Sequence, residues 1–384
     1  MSGLNREPVI IEAVRTPIGK HQGFFKETRA DEIGVIPIKA LLERTQINPH
    51  EIEDVVFGCV TARGEQGFNI ARIIALEADL PIESAGATVN RLCGSAQQAI
   101  SFAAQEIFAG VCDCAIAGGV ESMTREPMGS DLDKPLNPKL TQKYEIVSQG
   151  ESAERIAEQW NISRAELDEF ALQSHLKAAR AQDAGYFDGQ IVPMKVNGMT
   201  VTRDEGVRRY ASPEEGRAKL AKLAPVFRPN GVITAGNSSQ ISDGAAALLL
   251  MTKEKAKALG YKPRARFRSW AVAGVDPTLM LTGPIPATQK ALQKAGLLLS
   301  DIDLFECNEA FASVPIAWSK ELDVPWEKVN VNGGAIAHGH PLGATGAILF
   351  TKILYELERR DAQFGLVTMC TGFGQGTATI IERV

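Results

Sequence analysis

The chain has 384 residues, 45% hydrophobic and 23% charged, with a formal net charge of −5. That length supports about two to three domains with sizeable cores, and the composition excludes disordered, collagen-like and coiled-coil classes. No apolar run reaches the roughly 18 residues of a bilayer span, the mild acidity leaves no basic footprint for nucleic acid, and six cysteines are too few for a disulfide scaffold. Residues 1–20 lack the charged-then-apolar layout of an export signal. The expectation is a cytoplasmic protein with reduced thiols and neither nucleic-acid nor membrane partners.

In chain order, the first predicted strand is the β-branched run Val9–Ile11. Residues Ala40–Val56 (A-L-L-E-R-T-Q-I-N-P-H-E-I-E-D-V-V) predict a helix, a turn and the strand Val55–Val60, followed by the glycine-rich turn Gly58–Gly67. Val89-Asn90 then leads through a turn at Cys93 and a small-residue helix to the strand Ala115–Ala117, closed by Gly118-Gly119. Helical stretches alternating with such strands are the α/β signature.

Residues from about Glu121 to Ile241 are more polar and carry several helix starts. Ser148…Glu151 and Ser163…Glu166 predict capping boxes. Ser212 is an N-cap with Pro213 in the first helical position and Glu215 close behind. Leu167, Phe170, Ala171, Ser174 and Ala178 keep helical spacing. An excursion of this size reads as a lid or substrate-facing subdomain.

After it, Lys290–Glu306 (K-A-L-Q-K-A-G-L-L-L-S-D-I-D-L-F-E) aligns without a gap to Ala40–Val56, with an acidic pair around Ile302 as around Ile52. Val331-Asn332 then repeats Val89-Asn90, and the glycine turn Gly333–Gly346 leads through a helix to the strand Leu366–Met369. The chain therefore reads as a duplication interrupted by an insertion.

Cys93, in T-V-N-R-L-C-G-S-A-Q-Q-A-I, stands where a strand meets a helix. Helix N–H groups there would lower the thiol pKa and could hold an oxyanion; a small buried core thiol is the other reading. His338 and His340 share N-G-G-A-I-A-H-G-H-P-L-G-A-T-G. A general base is favoured over a metal site, because an H-x-H pair without carboxylate or Cys spacing is weak. Cys370 heads C-T-G-F-G-Q-G after a strand, and this is not a dinucleotide fingerprint. Asn308, in C-N-E-A-F-A, ends the other repeated strand and could equally be a satisfied turn residue. Cys112 and Cys114 read as packing residues. No phosphate loop, H-E-x-x-H or C-x-x-C is present.

Together these stretches resemble the thiolase family, the 3-ketoacyl-CoA thiolases and acetyl-CoA acetyltransferases. The resemblance runs over nearly the whole chain, from V-R-T-P-I-G-K (Val14–Lys20) through T-A-G-N-S-S-Q-I-S-D-G-A-A (Thr234–Ala246) and N-E-A-F-A (Asn308–Ala312) to the histidine loop and the final C-T-G-F-G-Q-G. It implies two βαβαβαββ halves around five-stranded sheets, layered α-β-α-β-α, with an inserted loop domain. The halves would be 1–119, completed by about 248–266, and 267–384, with 120–247 inserted.

The implied activity is reversible CoA-dependent cleavage of a 3-ketoacyl-CoA, in fatty-acid or steroid side-chain degradation. Cys93 would be the acylated nucleophile, His340 the base for each attacking thiol, and Cys370 the acid/base at the α-carbon. Asn308 would hold a water that forms one oxyanion hole with His340, and the N–H groups of Cys93 and Gly372 the other. Ser239, Phe227, Ala235, Ala310 and Phe311 match positions lining the CoA pantetheine channel, and Met280 and Gln149 join the substrate-binding set. His338 matches no catalytic position. CoA enters as substrate, with no cofactor or metal, and a homodimer or homotetramer is expected.

The chain departs from the family pattern at several places. S-Q-G (Ser148–Gly150) replaces a common His or Met beside the acyl pocket, Leu281 and Phe373 stand where glycine is common, and Ala96 replaces a glycine after Cys93. These bear on substrate identity. A ketoacyl synthase is the rival enzyme, countered by Cys370; a non-catalytic lipid or CoA binder is the rival outside enzymes, countered by Cys93 and His340.

Overall fold

The computed structural model describes residues 6–196 and 198–384. The first half comprises β1 (Pro8–Arg15), the two-residue β2 (Gly19–Lys20), α1 (Ala30–Thr45), β3 (Asp54–Gly58), α2 (Ile70–Glu77), β4 (Ala85–Val89), α3 (Ser95–Ala109) and β5 (Cys114–Ser122). The chain leaves the sheet there for α4 (Pro138–Lys143), α5 (Gln149–Gln159), α6 (Arg164–Asp183), the antiparallel pair β6 (Met194–Val196) and β7 (Met199–Val201), and α7 (Pro213–Ala221). It returns as β8 (Ser242–Thr252), which thus begins inside the stretch assigned to the insertion, and passes through α8 (Lys253–Ala258). The second half is β9 (Ala265–Gly274), α9 (Pro284–Ala295), β10 (Leu304–Cys307), α10 (Ser313–Leu322), α11 (Ala335–His338), α12 (Leu342–Arg360), β11 (Phe364–Thr371) and β12 (Gln375–Arg383).

Strand order makes the duplication visible. The first half runs β4-β3-β5-β8-β1 and the second β9-β12-β11-β10, with parallel pairs on the outer side and antiparallel ones inward. The two arrays form one continuous path, joined among the described residues by the pairs Val9↔Arg266 and Ile10↔Ala265. The second half's counterpart of β4 is a single parallel bridge, Phe305↔Val329. Its ladder is taken over by a side chain: the Asn330 amide accepts from the Cys307 N–H (2.9 Å) and donates to the Cys307 carbonyl (2.8 Å).

The layers follow from strand alternation. In β8, Ala246, Leu248 and Leu250 face the inner core, while Ala245, Ala247, Leu249 and Met251 face an outer core beneath α1 and α2. Both faces are buried, which is why the strand reads as a continuous apolar run. The inner core holds α3 and α12 between the two arrays, and α9 covers the far side of the second. The order is α-β-α-β-α. The central helices approach on backbone: a Cβ on Gly58 would lie 2.3 Å from the Ala96 nitrogen, and one on Gly346 2.3 Å from that of Gln97.

The inserted helices start largely where the caps predict. Ser163 and Glu166 close a complete capping box, and Ser212 accepts from the Glu215 N–H behind Pro213. At α5 only half the box forms. Ser148 accepts from the Glu151 N–H (3.2 Å), but the Glu151 carboxylate is drawn away to Arg155 and Arg228. A buried ion pair ties the insertion to the core: Asp204 binds Arg15 of β1 (2.7 Å), accepts from the Ile18 N–H and meets His338 Nδ1 (2.8 Å). No helix among the described residues is long and apolar enough to cross a membrane.

Candidate active site

The Cys93 turn begins where β4 ends. Asn90 accepts from the Leu92 N–H, and Ser95 Oγ accepts from the Arg91 N–H (both 2.9 Å). These bonds wind the chain tightly enough to put Leu92 at φ 49°, a left-handed conformation uncommon for a non-glycine residue. Cys93 follows, one residue before Gly94, the N-cap of α3. The expectation of a lowered thiol pKa is corrected here. Burial pushes Cys93 up to about 12, outweighing the Cys93 and Gly372 backbone N–H groups that point at the sulfur. The resting group is therefore a thiol that needs a base.

The candidate base comes from the second half. His340 lies in the turn between α11 and α12, its N–H held by the Gln240 carbonyl (3.1 Å) and Ser242 Oγ (3.2 Å). Its Nδ1 is 2.7 Å from Thr345 Oγ1, and that hydroxyl donates its one proton to the Pro341 carbonyl (2.9 Å). Thr345 can then only accept from the ring, so Nδ1 carries the proton and Nε2 the lone pair. Asn308 Nδ2 donates to that Nε2 at 3.3 Å, while Asn308 Oδ1 is buried without a partner among the described residues. Burial lowers the His340 pKa to about 4, leaving a neutral imidazole.

Cys370, at the end of β11, is fully buried. Burial first, then the neighbouring Cys93, raises its pKa well above the ordinary thiol range. The two thiols therefore face one site, both protonated at rest.

The channel residues meet on paired loops. The Ser239 N–H donates to the Ala310 carbonyl, and the Ala312 N–H to the Asn237 carbonyl (both 2.9 Å). Phe227 stands edge-on to Phe311, centroids 5.9 Å apart. Gly150 lies under Phe227, where a Cβ would come within 2.2 Å of the ring. Met280 and Leu281 share a buried cluster with Ala310, Phe311 and Cys370. Gln149 reaches the Gly372 turn, and Ala235 is exposed on the same segment as Ser239. His338 is turned away, its two nitrogens on Asp204 and the Asn332 carbonyl.

Two residues in this region escaped the sequence reading. Thr345 lies in the histidine loop itself, but only the folded turn aims it at Nδ1. Glu309, beside Asn308, is a buried carboxylate accepting from Ser174 (2.6 Å), Asn330 (2.9 Å) and the Ile336 N–H (3.2 Å), so it braces the Asn308 loop against the histidine loop. A cleft of about 600 Å³ lies beyond Glu309, lined by Phe170, Ile316, Trp326 and Lys177. It includes neither Cys93, Cys370 nor His340. Among the described residues no cluster has the makings of a metal site.

A duplicated α/β fold that pairs two buried thiols, aims two backbone N–H groups at one of them and holds a neutral imidazole against Asn308 defines a cysteine-dependent acyl-transfer protein. Its similarities are specific. The description "Thiolase, N-terminal domain" matches residues 8–254, and "Thiolase, C-terminal domain" matches 261–383. The chain belongs to the thiolase family. It is 48% identical to a 3-ketoacyl-CoA thiolase of Shewanella loihica and 47% to one of Aliivibrio fischeri, over 98% of this chain and 100% and 99% of those. A crystal structure of the Bacillus anthracis acetyl-CoA acetyltransferase superposes with a TM-score of 0.90 at 41% identity, covering 98% of this chain and 99% of that one.

Proposed function

We propose that the protein is an acyltransferase that cleaves 3-ketoacyl-CoA with free CoA, reversibly, through an acyl-Cys93 intermediate. His340 Nε2 takes the Cys93 proton as sulfur attacks the C3 carbonyl. The bond between C2 and C3 then breaks, and Cys370 protonates C2 of the departing acetyl-CoA enolate. The pair is left as imidazolium and thiolate, and proton transfer between them resets both.

In the second half-reaction His340 takes the proton of the incoming CoA thiol. The CoA sulfur attacks the acyl-Cys93 carbonyl, whose oxyanion the Cys93 and Gly372 N–H groups receive. Cys93 leaves and recovers its proton from His340. Asn308 keeps Nε2 in place, and its free Oδ1 suits a water that, with His340, faces the enolate oxygen. A thioester exchanged for a thioester costs little, so the cycle runs both ways.

CoA serves as substrate, not as a resident cofactor. The inserted segment, which we place between Ser122 and Ser242, supplies the channel wall through Gln149, Phe227, Ala235 and Ser239. We read the molecule as a cytoplasmic homodimer or homotetramer. In support, all six cysteines are free, and the edge strand β4 is flanked by Phe68 and Ile82, 97% and 76% exposed.

The observations that carry this reading are the two N–H donors and the second thiol at the Cys93 sulfur, together with the Asn308–His340 pair. The test is intact mass after mixing with 3-ketoacyl-CoAs of several chain lengths without free CoA. The expected outcome is an acyl adduct mapping to Cys93 and absent from Cys93→Ala, which also loses turnover. Full activity in Cys93→Ala would end the reading.

A further inference from the structure

Gln149 is the first residue of α5, and two neighbours fix its direction. Ser148 caps the helix, and Gly150 is pinned beneath Phe227. The side chain is thereby turned onto the glycine turn after Cys370. Its Nε2 lies 3.1 Å from where a Cβ on Gly372 would sit, and Leu92 Cδ1 stands at the same distance. The Gly372 N–H is one of the two aimed at Cys93, so the carboxamide stands on the turn that reaches the Cys93 sulfur.

Its surroundings are apolar. Leu92 reaches the same side of Gly372, Phe227 covers the next residue of α5, Gly150, and the turn Met280–Thr282, with Met280 and Leu281 buried, packs on both α5 and β11. The amide is half-buried and makes no protein hydrogen bond among the described residues. A primary amide in an apolar wall contributes little to binding a plain hydrocarbon chain and is penalised when such a chain seals it from water. A ligand oxygen removes that penalty and fixes orientation.

We propose that Gln149 is an acyl-selecting residue, its carboxamide hydrogen-bonding an oxygen carried by the acyl chain beyond C3. The favoured substrates are then 3-ketoacyl-CoAs bearing a hydroxyl, oxo or carboxylate group on that chain rather than plain alkyl ones. This rests on the acyl-Cys93 reading and adds to it which acyl groups are accepted.

The test compares kcat/KM for 3-oxohexanoyl-CoA with its 5-hydroxy, 6-hydroxy and terminal-carboxylate analogues, in the wild type, Gln149→Met and Gln149→Leu. Thermal unfolding confirms that the variants fold, and acylation of Cys93 is read in parallel by mass. The wild type should favour at least one oxygenated substrate by about tenfold or more, and both variants should bring that ratio towards one. Acylation of Cys93 without such a preference, or with a preference that survives both substitutions, overturns the proposal and leaves the reaction assignment standing. No adduct from any substrate overturns both.

Discussion

Thr345 controls the base through a single proton. Because its hydroxyl hydrogen goes to the Pro341 carbonyl, the imidazole is held with Nε2 unprotonated towards Asn308. Thr345→Val keeps the shape and removes the acceptor, so the wrong tautomer becomes accessible. We expect kcat to fall by about tenfold or more, the pH profile of kcat to shift, KM to change little, and Thr345→Ser to restore the rate. A purely structural role would leave the pH profile unmoved. Cys93, His340, Cys370 and Asn308 could be singled out as candidates because each sits in a distinctive local string. The Thr345 partnership was not, since a threonine near a histidine is common and only the turn's geometry selects it. The direction of the Cys93 shift was misjudged for a related reason. Helix position can be read from sequence, but the burial that dominates the thiol cannot.

The contact between α3 and α12 depends on missing side chains. Gly58 and Gly119 of the first array lie against the backbone of Ala96 and Gly343, and Gly346 lies against Gln97. Gly58→Ala would place a Cβ 2.3 Å from the Ala96 nitrogen, on backbone that cannot rotate away. The expected cost is about 1–3 kcal/mol, read as a lower urea midpoint. Slower acylation should accompany it, because α3 carries the Cys93 turn. An unchanged midpoint would show that β3 is not in backbone contact with α3. At this scale the duplication was clear in the sequence, down to the matching helix, turn and strand around Ile52 and Ile302. The reduction of the last strand to one bridge was not, because Val329-Asn330-Val331 looks as extended as Ala87-Thr88-Val89. The substitute ladder is an Asn330 side-chain bond to Cys307, a residue distant in sequence.

Across the whole molecule, the insertion and both halves meet at buried polar groups, and this couples stability to pH. Burial lowers His340 to about 4 and His175, in the insertion, to about 3. Their unfolded values lie near about 6.5. Between those limits the unfolded chain binds protons that the folded one does not, so stability rises with pH and is lost as pH falls through that window. The urea midpoint should drop from pH 7 to pH 5, and less steeply in His175→Gln, which keeps an acceptor for the Arg208 N–H. Equal slopes in the two proteins would refute the contribution of His175.

The amino-acid sequence by itself determined the α/β class, the repeated halves, the interruption between them and the strings holding the reactive groups. These depend on local periodicity, turn chemistry and short motifs, which need no distant partner. Only the tertiary structure decided which proton His340 carries, how far burial raises the thiols, and where Gln149 points. Each of those depends on groups from separate segments closing on one another and excluding water, and neither the closure nor the lost solvent is written in any one stretch of chain.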